Sequence, residues 1–291
     1  MKIIDGKKIA QEVKSEISKK VQEWMKEGKS VPHLAAVIVG DDGAAKTYID
    51  SIKRSCEAVG FNSSIYQLSA NTTEKELLET INFLNTDDDI DGYIIQLPLP
   101  KHINTEHVVA AVDPRKDVDC FHPVNNGKLL LGEAEFLPAT PYGTIELMRR
   151  SGIQTEGKHC VVLGRSNIVG KPLAMLLAQK APTGNATVTI CHSRTPNLKE
   201  VCATADILLV AIGQPEMITA DYVKPGATVI DIGIHRIPDS TTEKGYRICG
   251  DVKYDEVAPK CEAITPVPGG VGPMTMTCLM LNTIHAHEMK K

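Results

Sequence analysis

Short apolar runs rich in β-branched residues recur along the chain and alternate with stretches of helical periodicity. The runs occupy residues 35–39, 92–96, 160–163, 187–190, 207–210 and 228–230. Their continuous hydrophobicity predicts strands buried on both faces. Between two of them, Leu77, Leu78, Ile81 and Leu84 recur at helical spacing behind a capping box formed by Thr73 and Glu76. Strands alternating with helices predict an α/β fold with a parallel sheet.

A Pro- and Gly-containing stretch at residues 122–141 divides an earlier group of these strand and helix units from a later group. With 291 residues, the chain is long enough for two domains of ordinary size, and we expect their main boundary in this stretch. A last segment begins near Pro273 and carries apolar residues on one side of a helix. Its periodicity fits packing on either domain.

Charge and cysteine content narrow the function classes. The net charge is −4, from 32 basic and 36 acidic residues, which argues against a partner such as nucleic acid or a membrane surface. Eight scattered cysteines without a C-x-x-C pair predict reduced, structural thiols. Charged residues near the start of the chain stand where a signal peptide needs an apolar stretch, so we expect a cytoplasmic protein. Histidines and acids occur without metal-site spacing, so we predict no metal site.

A glycine-bearing turn follows the strand at residues 160–163 and leads into an apolar helix. Gly164, Arg165 and Ser166 open this turn, and a strand, turn and helix N-terminus in this order can hold a phosphate. The pattern departs from G-x-G-x-x-G, because Ser166 and Val169 stand at the second and third glycine positions. An ordinary tight turn is the alternative.

The next strand in the sequence points to the kind of dinucleotide. A unit that binds NAD usually has a carboxylate after this strand, whereas here His192, Ser193 and Arg194 follow. Together with Arg165, these residues suit the extra 2′-phosphate of NADP. A solvated basic loop is the alternative. Two later strand ends, which carry Gly213 and Gly233, should open on the same crevice and let a nicotinamide ring approach the backbone.

Polar residues in the first half of the chain stand in apolar surroundings. Gln96 ends a predicted strand, and Asp117 and Asp119 precede an aromatic residue and a proline. Such groups either cap local backbone or meet a polar ligand. The apolar stripe of Tyr48 and Ile52 is typical of a helix core. The Pro- and Gly-rich residues 265–275 are too apolar for a solvent loop, and we expect them to lie against a ligand.

Seven short motifs, taken together and in this order, resemble the methylenetetrahydrofolate dehydrogenase/methenyltetrahydrofolate cyclohydrolase family. They are residues 5–7, 96–100, 116–119, 138–141, 164–166, 191–193 and 266–275. The resemblance implies a folate-side catalytic domain formed by residues 1–120 and 274–291 and a Rossmann-type NADP-binding domain at residues 121–273. It also implies folate in the cleft, a homodimer and a role in one-carbon metabolism.

The resemblance implies roles for individual residues. Tyr48 would stack on the folate, Gln96 would take part in the one-carbon chemistry and Asp119 would anchor the pterin ring. The implied NADP-binding residues, with Arg194 added from the charge argument, are Gly164, Arg165, Ser166, Ser193, Arg194 and Ile234. The implied folate-lining residues also include Leu97, Pro268, Gly269, Gly270, Val271 and Gly272. The implied reaction moves a hydride from the methylene carbon to the nicotinamide, which needs positioning more than a protein base.

One departure from the family pattern bears on the second activity. The family places a lysine four residues after the tyrosine, where it assists water attack in the cyclohydrolase step, and this chain has Ile52. Lys53 is adjacent, but one helical residue turns a side chain by about 100°. Isoleucine transfers no proton, so we predict a dehydrogenase with weak or absent cyclohydrolase activity. Smaller departures are Cys120 for glycine, Ala139 for cysteine and His235 for asparagine.

Three alternatives remain at this point. The enzyme could be fully bifunctional and use Lys53, or it could be a non-catalytic regulator that binds NADP and folate. A different two-domain NADP dehydrogenase, acting on a hydroxy acid or a shikimate-like substrate, would need a catalytic Lys–Asp or His pair that the sequence does not mark.

Overall fold

A computed structural model describes residues 1–40 and 43–290, and for residues 43–48 it describes the backbone only. The strands are β1 (Lys2–Ile3), β2 (His33–Val39), β3 (Asn62–Leu68), β4 (Gly92–Ile95), β5 (His159–Leu163), β6 (Thr187–Cys191), β7 (Ile207–Val210), β8 (Thr228–Asp231), β9 (His235–Pro238), β10 (Tyr246–Cys249) and β11 (Ala263–Ile264). The helices are α1 (Gly6–Lys26), α2 (Gly43–Val59), α3 (Glu74–Thr86), α4 (Thr105–Ala110), α5 (Pro123–Leu131), α6 (Ala139–Arg150), α7 (Gly170–Ala178), α8 (Leu198–Cys202), α9 (Tyr254–Val257) and α10 (Gly272–Met289).

The chain divides into two compact units. We call residues 1–11 and 140–275 the six-stranded unit, and residues 12–139 and 276–290 the three-stranded unit, after their sheets. These limits differ from the expected domain limits in three places, the smallest being residues 274 and 275, which lie in the six-stranded unit. Residues 121–139 lie in the three-stranded unit, and residues 1–11 lie in the six-stranded unit because β1 pairs with β11. A two-residue strand is too short for its periodicity to be recognised.

The six-stranded unit is built on a parallel sheet with strand order β1-β11-β8-β7-β5-β6. The predicted parallel α/β architecture is confirmed. Val161, Leu208 and Val229 in the central strands are fully buried. The expectation that every strand is buried on both faces is wrong for β6, where Ile190 is 39% exposed. This strand lies at the sheet edge and pairs with β5 alone, so fewer neighbours cover it.

The three-stranded unit is a smaller parallel sheet with strand order β3-β2-β4. Its helix α3 begins as predicted: Thr73 Oγ1 accepts a hydrogen bond from Glu76 N, and the Glu76 carboxylate accepts one from Thr73 N. Leu77, Ile81 and Leu84 on one side of α3 are fully buried against this sheet. Strand β3 was not predicted, because its polar residues hide the apolar run that marks the other strands.

The final helix α10 extends into the three-stranded unit, where several polar bonds hold it. Asn282 Nδ2 donates to the carbonyl oxygens of Val118 and Leu137, both at 2.7 Å. Nearer its end, His287 Nδ1 lies 3.0 Å from an Asp91 carboxylate oxygen. Residues 276–290 thus belong to the three-stranded unit. Periodicity alone did not decide which domain this helix packs on. In the described residues, no helix is both long and apolar enough to cross a membrane.

Candidate active site

The predicted phosphate-binding turn lies at the carboxyl end of β5 and leads into α7. Gly164 has a φ of 138°, and a Cβ atom there would lie 2.3 Å from the Ala211 carbonyl oxygen. Gly170, the first residue of α7, would place a Cβ atom 2.3 Å from the Gly164 carbonyl oxygen. Ser166 Oγ accepts from the backbone N–H groups of Val169 and Gly170 at 3.2 and 3.3 Å. Only glycine at both positions permits this close-packed turn.

Two guanidinium groups belong to the ends of the adjacent strands β5 and β6. Arg165 and Arg194 are exposed, and Arg165 Nη1 lies 3.2 Å from His192 Nε2. Ser193 is exposed as well. Within the described part of the chain, neither guanidinium is paired with a carboxylate. We call Arg165 and Arg194 the cationic edge. Both are exposed and therefore accessible to an anion such as a phosphate, and their contact with a 2′-phosphate stays a prediction.

Two buried aspartates that the sequence analysis did not select organise the ends of β7 and β8. Asp231 ends β8 and accepts from the backbone N–H groups of Gly233, Asp251 and Val252 at 2.9–3.0 Å. Asp251 is fully buried and accepts from the loop that follows β7. Burial raises the pKa of Asp231 to about 7, and the Asp251 charge adds to the rise. A carboxylate directly after an apolar strand was the signal available for Asp231, whereas Asp251 follows no strand of the predicted set.

Residues 266–272 lie in the six-stranded unit, partly packed against the first residues of the chain. Gly269 accepts from Lys7 N at 3.1 Å, and a Cβ atom on Gly6 would lie 1.8 Å from the Gly270 carbonyl oxygen. Gly269, Gly270 and Val271 are buried, whereas Pro268 and Gly272 are exposed. Of the five predicted folate-lining residues here, two therefore present side-chain or Cα surface. Ile234, predicted beside the cofactor, is 64% exposed.

Gln96 and Leu97 follow β4 in the three-stranded unit. Gln96 N donates to the Val37 carbonyl oxygen at 2.9 Å, which continues the pairing with β2 by one residue. The Gln96 side chain donates through Nε2 to the Leu97 carbonyl oxygen at 2.9 Å and is partly exposed. No described residue donates to its Oε1 atom, so the side chain can still accept a hydrogen bond from a polar ligand.

The two neighbouring aspartates have different surroundings. Asp117 is buried and accepts from Phe121 N, His122 N and Asn125 Nδ2 at 2.8–3.1 Å, so it caps local backbone. Asp119 lines a narrow pocket with Tyr93 and Phe121, and no described residue donates a hydrogen bond to its carboxyl group. Burial, with a smaller contribution from the Asp117 charge, raises the pKa of Asp119 to about 7. Contact of Asp119 with a polar ligand therefore stays a prediction, whereas Asp117 already has its partners in the local chain.

The residue after Asp119 explains one departure from the family pattern. Cys120 has a φ of 59°, in the left-handed region where glycine is favoured. Its thiol is buried and donates to the Phe136 carbonyl oxygen at 3.2 Å. The chain keeps the turn that glycine would make and fills the space beside it.

Ile52 lies on the buried side of α2, as the apolar stripe predicted. Ile52 and Cys56 are fully buried, and Val59 is nearly so. Lys53 and Arg54 are exposed, and Arg54 Nε donates to the Asp50 carbonyl oxygen at 3.0 Å. The Tyr48 side chain lies outside the described residues. As for metals, the described residues contain no group of three His, Cys, Asp or Glu side chains placed to hold an ion.

Two family profiles together match nearly the whole chain. Residues 4–119 match the profile described as tetrahydrofolate dehydrogenase/cyclohydrolase, catalytic domain, and residues 138–291 match its NAD(P)-binding domain. Among its relatives, the "Bifunctional protein FolD" of Porphyromonas gingivalis is 59% identical over 287 residues, covering 99% of this chain and 97% of that protein. The protein of the same name from Cytophaga hutchinsonii is 54% identical over 290 residues and covers 100% of both chains.

Solved structures agree with this assignment. The bifunctional enzyme FolD, a methylenetetrahydrofolate dehydrogenase/cyclohydrolase from Campylobacter jejuni, is 42% identical, covers 100% of both chains and superimposes with a TM-score of 0.93. The Trypanosoma brucei enzyme, crystallised with NADP cofactor and inhibitor, is 35% identical, covers 99% of this chain and 97% of that chain, and has a TM-score of 0.92. The chain belongs to the tetrahydrofolate dehydrogenase/cyclohydrolase family.

Proposed function

We propose that this protein oxidises methylenetetrahydrofolate to methenyltetrahydrofolate and transfers the hydride to NADP. The observation that carries the cofactor choice is the cationic edge: two exposed guanidinium groups that no described carboxylate pairs with, beside a turn that only glycine permits. NADP, when bound, supplies the acceptor for the hydride that leaves the methylene carbon. Family membership supports the substrate and the reaction.

The residues would divide the work as follows. The turn from Gly164 to Ser166 would hold the pyrophosphate with backbone N–H groups. Arg165, Ser193 and Arg194 would hold the 2′-phosphate, and Ile234 would contact the nicotinamide half. On the folate side, Tyr48, Gln96, Leu97, Asp119 and the segment from Pro268 through Gly269, Gly270 and Val271 to Gly272 would bind and orient the substrate. The homodimer and the cytoplasmic location remain predictions from the sequence.

A steady-state assay tests the dehydrogenase proposal. Purified protein is mixed with methylenetetrahydrofolate and either NADP or NAD, and formation of the reduced cofactor is followed by absorbance. We expect turnover with both cofactors to be measurable and the kcat/KM for NADP to be the higher. Arg165→Ala should lower the kcat/KM for NADP and leave that for NAD nearly unchanged. Absence of turnover with either cofactor would contradict the proposed reaction and favour a regulator.

We further propose that the cyclohydrolase step is weak. Ile52 at the family's lysine position is fully buried and carries no proton-transferring group. Lys53 and Arg54 are exposed, away from the buried side of α2. The name of the relatives, a bifunctional protein, favours the second candidate, in which both activities are retained. That candidate requires another group, such as Lys53, to do the lysine's work.

Two matched substitutions separate these candidates. Ile52→Lys restores the family residue, and we expect it to raise the rate of methenyltetrahydrofolate hydrolysis by about 10²-fold, the lower end for general acid–base catalysis. Ile52→Met, of similar size and without a charge, should leave that rate unchanged. If Lys53 is the working group, the unaltered protein will hydrolyse methenyltetrahydrofolate and the Lys53→Ile variant will not. That result would contradict our proposal. The melting temperature of each variant will show whether that variant is folded.

A further inference from the structure

The carboxylate of Asp251, in the six-stranded unit, accepts hydrogen bonds from a loop that is distant from it along the chain. One carboxylate oxygen, Oδ2, accepts from Ile212 N at 2.8 Å and Gly213 N at 3.1 Å. The other, Oδ1, accepts from Gln214 N at 2.8 Å. Three consecutive backbone N–H groups of the loop after β7 thus converge on one buried carboxylate. The loop has no freedom to move while these bonds persist.

A fourth donor connects the same carboxylate to the neighbouring strand end. His235 Nε2 lies 2.7 Å from Asp251 Oδ1, and His235 is the first residue of β9, four residues beyond β8. With it, all four lone-pair positions of the Asp251 carboxylate are used. The loops that follow β7 and β8 are therefore tied to each other through a single side chain.

Close packing fixes the position of Asp251 itself. A Cβ atom on Gly233 would lie 2.4 Å from the Asp251 Cγ atom. On the other side, Asp231 accepts from Asp251 N at 3.0 Å, and a Cβ atom on Gly250 would lie 1.9 Å from Asp231 Oδ2. Neither glycine could carry a side chain without displacing one of the two aspartates. The arrangement is preorganised around the carboxylate.

The sheet order shows which part of a dinucleotide these loops would face. In a sheet with the order β8-β7-β5-β6, a dinucleotide lies across the carboxyl ends with its pyrophosphate over the turn after β5. The cationic edge beyond β5 and β6 accounts for the 2′-phosphate half. The loops beyond β7 and β8 then face the nicotinamide half, where the hydride arrives.

We propose that Asp251 is a positioning residue for hydride transfer, which shapes the nicotinamide side of the cofactor site by holding residues 212–214 and His235 in one arrangement. The proposal rests on the proposed function, since it presumes that a nicotinamide cofactor binds at this edge. Asp251 touches neither substrate nor cofactor in this account. It acts through the backbone that it holds.

Binding of two related ligands tests the proposal without using the folate reaction. Calorimetry compares NADP with 2′-phospho-ADP-ribose, which has the same phosphates and lacks the nicotinamide. In Asp251→Asn, one acceptor oxygen becomes an amide donor facing backbone donors, so the loop should shift. We expect the dissociation constant for NADP to rise by about tenfold or more and kcat to fall by about 10²-fold, as displacement of a reacting group by about 1 Å can cause. Binding of 2′-phospho-ADP-ribose should change less than about twofold.

A milder pair of variants keeps the test decisive if Asp251→Asn does not fold. His235→Leu removes one of the four donors, and His235→Asn returns a donor of the type that the family commonly has at this position. We expect His235→Leu to weaken NADP binding selectively and His235→Asn to restore most of it. Equal weakening for NADP and 2′-phospho-ADP-ribose, or no weakening of either, would overturn the proposal. Unaltered protein that binds NADP but does not oxidise the folate would instead overturn the proposed function.

Discussion

At the scale of single residues, Asp119 is notable because no described residue donates a hydrogen bond to its carboxyl group. Asp119 is half-buried and lines a narrow pocket, and the hydrogen bonds that nearby backbone offers go to Asp117. Burial holds the pKa of Asp119 near 7. The charge of this group therefore changes near neutral pH.

That pKa leads to a pH dependence of folate binding. Above pH 7 the Asp119 carboxylate is ionised and can accept the N–H groups of a pterin ring, and below pH 7 it becomes neutral and loses one acceptor. We expect the KM for methylenetetrahydrofolate to rise by about tenfold as the pH falls from 8 to 6, in line with the ionised fraction. Asp119→Asn, which cannot ionise, should have a high KM at both pH values. A KM of the unaltered protein that is constant over this range would contradict the role.

The residues that sequence reasoning found and missed differ in a physical way. Arg165, Ser193 and Asp119 could be selected as candidates because each stands next to a strand end or a motif in the chain, and their roles stay predictions. Asp251 could not, because its four donors come from residues 16 to 39 positions away and meet it only after the sheet has formed. Cys120 shows the reverse case: the departure from glycine was visible, but the left-handed backbone that explains it was not.

At the scale of elements, the junction of β5 and α7 is the most constrained part of the candidate site. Gly170 begins α7 in contact with the Gly164 carbonyl group. A side chain at Gly170 must push the turn away from the strand, and the N–H groups that would bind phosphate move with it. The turn and the helix therefore function as one unit.

Substitution of Gly170 measures this constraint. Gly170→Ala should raise the KM for NADP by about tenfold or more, because the added methyl group displaces the Gly164 carbonyl by about 1 Å. Gly127→Ala in α5 is the matched control, since a Cβ atom there has no heavy atom within 4 Å and alanine favours helix. Spectrophotometric titration of NADP in the assay gives both constants. Equal KM values for the two variants would show that the turn tolerates displacement.

Elements with a continuous apolar run or a capping motif were predictable, and short or polar elements were not. The central strands β5, β7 and β8 and the capped helix α3 carry their signals in consecutive residues. The antiparallel pair β9 and β10 was missed, because each strand is short and is interrupted by an exposed arginine, so it lacks a continuous apolar run. Edge strand β6 was predicted, but it is less buried than predicted, because only one strand, β5, pairs with it.

At the scale of the whole molecule, each unit takes in segments that are distant along the chain. The first residues complete the six-stranded sheet at β1, and residues 276–290 bond to Asp91 and Val118 in the three-stranded unit. Pairing over such separations depends on the completed sheets, so local sequence could suggest the number of units and not their limits. The family resemblance supplied the return of the last helix.

A cofactor that binds the folded six-stranded unit should stabilise the molecule by mass action. At a concentration of 100 times its dissociation constant, NADP should add about 2.7 kcal/mol to the free energy of unfolding of the unit that binds it. Differential scanning calorimetry with NADP, and with NAD at the same concentration, measures the two shifts in melting temperature. We expect the shift with NADP to be the larger. A larger shift with NAD would contradict the assignment of Arg165 and Arg194 to the 2′-phosphate.

We propose that, in this member of the family, Ile52 at the lysine position weakens the cyclohydrolase activity and leaves the dehydrogenase activity intact. The most direct test measures both activities on one preparation of the unaltered protein at one pH: reduction of NADP with methylenetetrahydrofolate and hydrolysis of methenyltetrahydrofolate. We predict a dehydrogenase rate that exceeds the cyclohydrolase rate by about 10²-fold or more, the contribution that a proton-transferring group makes. Comparable rates for the two reactions would contradict the account.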